Sequence, residues 1–67
     1  MQYGHVKFWD ISKGYGFITT DDDQDIFVHK SGLDITLNSV DLKEGLRLKF
    51  DVRSDIKGDK AINVRKA

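Results

Sequence analysis

Side chains of like character in this 67-residue chain recur with a period of two nearly everywhere. The clearest stretch is Leu46-Arg47-Leu48-Lys49-Phe50-Asp51-Val52, which sets four apolar side chains on one face and three charged ones on the other. Successive side chains of a strand point to opposite faces, so this rhythm marks a half-buried strand and not a helix. Five segments are predicted as strands. The first runs from Gln2 to Asp10, and the turn Ile11 to Gly14 leads to the second, Tyr15 to Thr20. The acidic turn Asp21 to Gln24 leads to the third, Asp25 to His29. A middle segment, Lys30 to Gly45, has no sustained helical stripe, although Ser31 and Ser39 can each cap a single turn. The fourth strand is Leu46 to Val52. A polar turn around Asp55, Lys57, Gly58 and Asp59 leads to the fifth, Lys60 to Arg65, with Ile62 and Val64 inward. Five short strands in an open sheet would leave an apolar face in water. Closing the sheet buries that face and removes the edges. The expected fold is therefore all-β, a five-stranded antiparallel barrel forming one domain over residues 1–67.

Composition narrows the function. No cysteine is present, so disulfides and thiolate metal sites are excluded, as suits a reducing compartment. No apolar run approaches the ~20 residues of a membrane span. Met1-Gln2-Tyr3-Gly4-His5 has no basic region followed by an apolar stretch, as a signal peptide would. The expectation is a free-standing cytoplasmic protein with no membrane partner. Eleven basic and eleven acidic residues balance, which argues against a generic polyanion binder. The charges are nevertheless segregated: four acids fall in Asp21-Asp22-Asp23-Gln24-Asp25, while Lys7, Lys13 and Lys30 lie near aromatic strings.

Those strings are Lys13-Gly14-Tyr15-Gly16-Phe17-Ile18 and Asp25-Ile26-Phe27-Val28-His29. On strands, Tyr15 and Phe17 share one face, as do Phe27 and His29, while Ile18, Ile26 and Val28 point to the core. Exposed rings on adjacent strands form a platform on which flat bases stack, with nearby lysines on phosphates. Competing motifs fail. Gly14-Tyr15-Gly16 opens a dinucleotide fingerprint, but its sixth position is Thr19. Asp21, Asp23 and Asp25 are spaced like calcium-loop ligands, but Ile26 and Gly32 stand where Gly and Glu are required. The first string matches the opening of the RNP1 string of RNA-recognition-motif domains, yet the chain lacks the two helices those domains need. His5 and His29 are the only imidazoles, no serine has a catalytic partner by spacing, and no metal set exists. The chain is read as a non-enzyme without cofactor or small-molecule substrate. The rival reading is a small β-barrel protein-interaction module.

The order of elements resembles the bacterial cold-shock proteins over essentially the whole chain. The resemblance is carried by Gly4, Val6-Lys7-Phe8-Trp9, both aromatic strings, Ser31, Glu44-Gly45 and Ala61-Ile62-Asn63-Val64. It implies an OB-type barrel that binds single-stranded RNA and DNA with little sequence choice and acts as an RNA chaperone. It places nucleic-acid contacts at Lys7, Lys13, Tyr15, Phe17, Phe27 and His29. Tyr15 stands for a commoner Phe, and Lys57 matches a basic residue of the last long turn after a one-residue shift. Asp25 is expected to accept a hydrogen bond from a base edge. The family usually reads Lys-Trp-Phe where this chain reads Lys7-Phe8-Trp9. Strict alternation puts Trp9 on the face of Lys7, a bulge reverses that, and motif position favours Phe8 as the stacking ring. Lys30 stands where the family often has an aromatic. The loop Asp34 to Leu42 is about one residue longer than usual and has no aromatic. Fewer bases engaged, weaker binding and a shallow salt dependence are expected. A monomer is the expected form, with a strand-swapped dimer as the alternative.

Overall fold

In the computed structural model, which describes residues 1–67, the turns explain where the strands stop. The first strand, β1 (Gln2–Asp10), ends at a carboxylate. Asp10 Oδ1 accepts from the Ser12 amide at 3.0 Å, the Ser12 hydroxyl at 2.7 Å and the Lys13 amide at 3.0 Å. Gly14 then takes a positive φ of 73°, which a side chain would resist, and releases the chain into β2 (Tyr15–Thr20). The next turn is organised by buried Thr20, whose hydroxyl donates to Asp22 and accepts from the Gln24 amide at 3.0 Å. It delivers β3 (Asp25–His29).

The middle segment holds only two single 3₁₀ turns, at Lys30–Gly32 and Ser39–Asp41. Neither expected serine cap is formed: the first N-cap lies two residues before Ser31 and the second one residue before Ser39. His29 caps the first turn, Asn38 precedes the second without a side-chain cap bond, and Ser31 and Ser39 lie inside the turns. Leu37 and Leu42 of this segment complete the core.

Strands β4 (Arg47–Asp55) and β5 (Gly58–Lys66) run longer than the expected Leu46 to Val52 and Lys60 to Arg65. The connection is only Ile56-Lys57, with Gly58 at φ 117°, so the ladder continues to Asp55 opposite Gly58. Both faces of this hairpin tip meet water, so no alternation marks its pairing.

The strands close in the order β1-β2-β3-β5-β4. Four ladders are antiparallel, and β3 pairs with β5 in parallel through Phe27–Lys60 and Val28–Ala61. Antiparallel pairing throughout was not available: an odd number of strands cannot alternate direction all the way around a closed ring. Inside, Ile18, Leu48, Phe50 and Val64 are fully buried, each stabilising the fold by about 1.5–3 kcal/mol relative to exposure.

Ile62 departs from the expected inward position. Ala61 and Val64 are the buried residues of β5, and Ile62 is only half-buried. The register jumps from Asp51–Ile62 to Lys49–Arg65, with Asn63 in the left-handed region at φ 52°. A bulge inserts one residue and breaks the alternation.

Candidate nucleic-acid interface

A second bulge builds the candidate site. The β1–β2 register shifts between Val6 and Phe8 and leaves Lys7 without a partner on β2. Beyond it, Phe8 faces Phe17 and Trp9 faces Gly16. Directly opposed residues share a face, so Phe8 joins the outer surface and is 48% exposed. Trp9 turns to the inner side with buried Gly16 and packs against the core. Its indole Nε1 finds no acceptor within the chain. Gly16 makes this possible: a Cβ there would run into the Phe8 carbonyl oxygen and lie 2.8 Å from the Trp9 Cα.

The outer faces of β1 to β3 therefore carry an aromatic row, Phe8–Phe17–Phe27, with the Tyr15–His29 pair beside it. Phe17 and Phe27 meet nearly edge-to-face, with ring centres 5.9 Å apart and planes at 74°. Tyr15 and Phe27 lie at the same separation with planes at 31°. Such offset contacts fix the rings yet leave π-faces open. Phe17 is 37% exposed, and Tyr15, Phe27 and His29 are half-buried. His29 Nδ1 accepts from the Ser31 amide at 3.1 Å and lies 2.9 Å from the Ser31 hydroxyl. Because Nδ1 is an acceptor, the neutral ring carries its proton on Nε2, which leaves a donor for a ligand.

The charged residues are less uniform. Lys7 Nζ lies 2.6 Å from Asp25 Oδ2, and Thr19 Oγ1 donates to Asp25 Oδ1 at 3.1 Å. The Lys7 ammonium and the Thr19 hydroxyl hold the Asp25 carboxyl below the usual carboxylate range. Lys7 and Asp25, singled out for phosphate and base, thus hold each other. Exposed Lys13 sits in the β1–β2 turn. The Lys30 stem lies against that turn: a Cβ at Gly14 would be 2.9 Å from Lys30 Cδ. These two lysines flank the Tyr15 end of the platform, and Lys57 stands apart at the tip of the β4–β5 hairpin.

A groove of about 690 Å³ lies between the platform and that hairpin. Phe17, Phe27 and His29 line one side, and Arg53, Lys57, Lys60 and Ile62 contribute to the other. The sequence reading did not single out Arg53 and Lys60, and it expected Ile62 to face inward. Lys60 reaches the platform only through its parallel pairing with Phe27, and Ile62 only through the Asn63 bulge. Neither the pairing nor the bulge has a local sequence signal. Asp55 and Asp59 also line the groove. Asp55 lies 3.9 Å from Lys60, and Asp59 accepts from Ser54 at 3.1 Å. No three His, Asp or Glu side chains converge on a point that would hold a metal ion.

Known proteins resemble this chain over its whole length. Residues 2–67 match the family described as the 'Cold-shock' DNA-binding domain. Cold shock protein 1 of Lactiplantibacillus plantarum is 44% identical over 64 residues, covering 96% of both chains. The major cold shock protein of Streptococcus pyogenes serotype M1 is 39% identical over 66 residues, covering 98% of this chain and 97% of its own. Cold shock protein CspC of Bacillus subtilis is 39% identical over 67 residues, the full length of both.

Proposed function

Since the chain belongs to the cold-shock DNA-binding domain family, a nucleic-acid-binding and not an enzymatic one, we propose that it binds single-stranded RNA and DNA and acts as an ATP-independent RNA chaperone. The observation that carries the reading is the row Phe8–Phe17–Phe27 on the outer face of three adjacent strands. Bases stack on these rings and on Tyr15, each stack contributing about 1–3 kcal/mol whatever the base. His29 offers its Nε2 proton to a base edge. Lys13, Lys30 and Lys57 meet the backbone, joined by Arg53 and Lys60 across the groove. Trp9 supports the platform from beneath and does not itself stack.

A duplex keeps its base faces inside its own stack, so only open strands reach the rings. Binding the open form shifts a hairpin toward melting by the differential affinity and nothing more, so no nucleotide hydrolysis is required. The reading takes the monomer as the working form, because a closed barrel leaves no unpaired edge to recruit a second copy. Two assays test it together. Titration should show binding to a single-stranded oligonucleotide and none to its duplex. A fluorophore–quencher RNA hairpin should open progressively as protein is added without ATP. Equal affinity for duplex and single strand overturns the reading.

A further inference from the structure

The contact between Lys7 and Asp25 has a consequence for affinity. It sits beside the aromatic row. Asp25 is two residues from Phe27 on the same face of β3, and Lys7 is the bulged residue next to Phe8. Thr19 lies directly opposite Asp25 and bonds one carboxylate oxygen, which leaves the other oxygen for the Lys7 ammonium at 2.6 Å. Both side chains are open to solvent, at 56% and 44% exposure. No other carboxylate lies within ion-pair distance of Lys7, and no other cation within that distance of Asp25. Of the side chains nearby, Thr19 is neutral, His5, opposite Thr19, forms no ion pair with either, and Glu44, which lines a shallow pocket with Lys7, lies beyond ion-pair distance.

Resting on the single-strand reading, we infer that Asp25 is an internal competitor for phosphate: its carboxylate occupies the platform-side cation that an incoming backbone would otherwise use. A bound strand gains Lys7 only by displacing Asp25. That exchange swaps one anion for another, so it adds little affinity and little counterion release. The bulge leaves Lys7 without a partner on β2, beside the outer row His5–Thr19–Asp25 in which its acceptor lies. Asp25 thereby lowers affinity and flattens the salt response. Loss of this carboxylate, by substitution or by a base that bonds it, releases the lysine.

The test uses the intact protein, an oligo-dT single strand and four proteins: wild type, Asp25→Asn, Lys7→Gln and the double variant. Asn keeps the shape and can still accept from Thr19, and thermal unfolding verifies each fold. The expected result is an affinity gain of about two- to fivefold in D25N, the range of an exposed ion pair. The slope of log affinity against log salt steepens by about 0.7, the value for one added single-strand phosphate contact. Lys7→Gln changes little in the wild-type background and abolishes the gain in the D25N background. A folded D25N protein that binds more weakly, or equally with an unchanged slope, overturns the inference and makes Asp25 a direct base acceptor or a bystander. Absence of wild-type binding to the strand overturns the single-strand reading itself, and with it this inference.

Discussion

Phe8 and Trp9 are adjacent, both aromatic, and opposite in consequence. Phe8 stands in the outer row with Phe17, and Trp9 packs inward beside Gly16. Phe8→Ala should weaken single-strand binding by about 1–3 kcal/mol, the value of one lost stack. Trp9→Phe should leave affinity within about twofold, because it alters the support beneath the platform and removes an indole donor that has no acceptor in the chain. Calorimetric titration of both variants checks this pair, and a larger loss for W9F than for F8A would reverse their assigned roles. The rings of β2 and β3 were legible in the sequence because two regular strands carry them. The Phe8–Trp9 choice was legible only through motif position, which favoured Phe8; alternation left it open, because it turns on a bulge whose single extra residue, Lys7, leaves no mark in composition or periodicity.

At the scale of the element, irregularities position the candidate surface, and two substitutions probe them. Asn63 holds a left-handed backbone at φ 52° where β5 slips by one residue. Asn63→Val should destabilise the fold by about 1–2 kcal/mol, and Asn63→Gly should be close to neutral, read by denaturant unfolding. Gly16 allows β1 to approach so closely that a methyl group has no space against the Phe8 carbonyl. Gly16→Ala should cost about 3 kcal/mol or more, since backbone and not a flexible side chain must yield. The alternation of Leu46 to Val52 announced β4, but not its extension to Asp55, where both faces are solvent-exposed. It also misplaced Ile62, whose neighbour Asn63 breaks the period. Lys60 entered the candidate site through a parallel pairing with Phe27 that only barrel closure creates.

For the whole molecule, closure of five strands was legible from the need to bury one apolar face, and the obligatory parallel ladder follows from the odd strand number. A chain of this size has a small core, so modest increments matter. Four carboxyls are held below their ordinary range: Asp10 by the Ser12 hydroxyl, Asp21 by the Arg47 guanidinium, Asp25 by Lys7, and Asp34 by the Thr36 hydroxyl. A folded-state pKa below the unfolded one stabilises the fold above the unfolded value, about 3.9 for Asp. That contribution is lost as pH falls through the lower folded values. The thermal midpoint should therefore hold from neutral pH to about 5 and fall steadily below 4, and a midpoint unchanged down to pH 2 would contradict this account. The most direct test of the stacking platform is a label-free titration of the double variant Phe17→Ala/Phe27→Ala with oligo-dT, alongside its unfolding curve. The fold should survive at a cost of about 1–3 kcal/mol for the two lost ring contacts, Tyr15–Phe27 and Phe17–Phe27, on top of the lost partial burial of both rings, while binding disappears; a folded double variant that keeps wild-type affinity would contradict the platform.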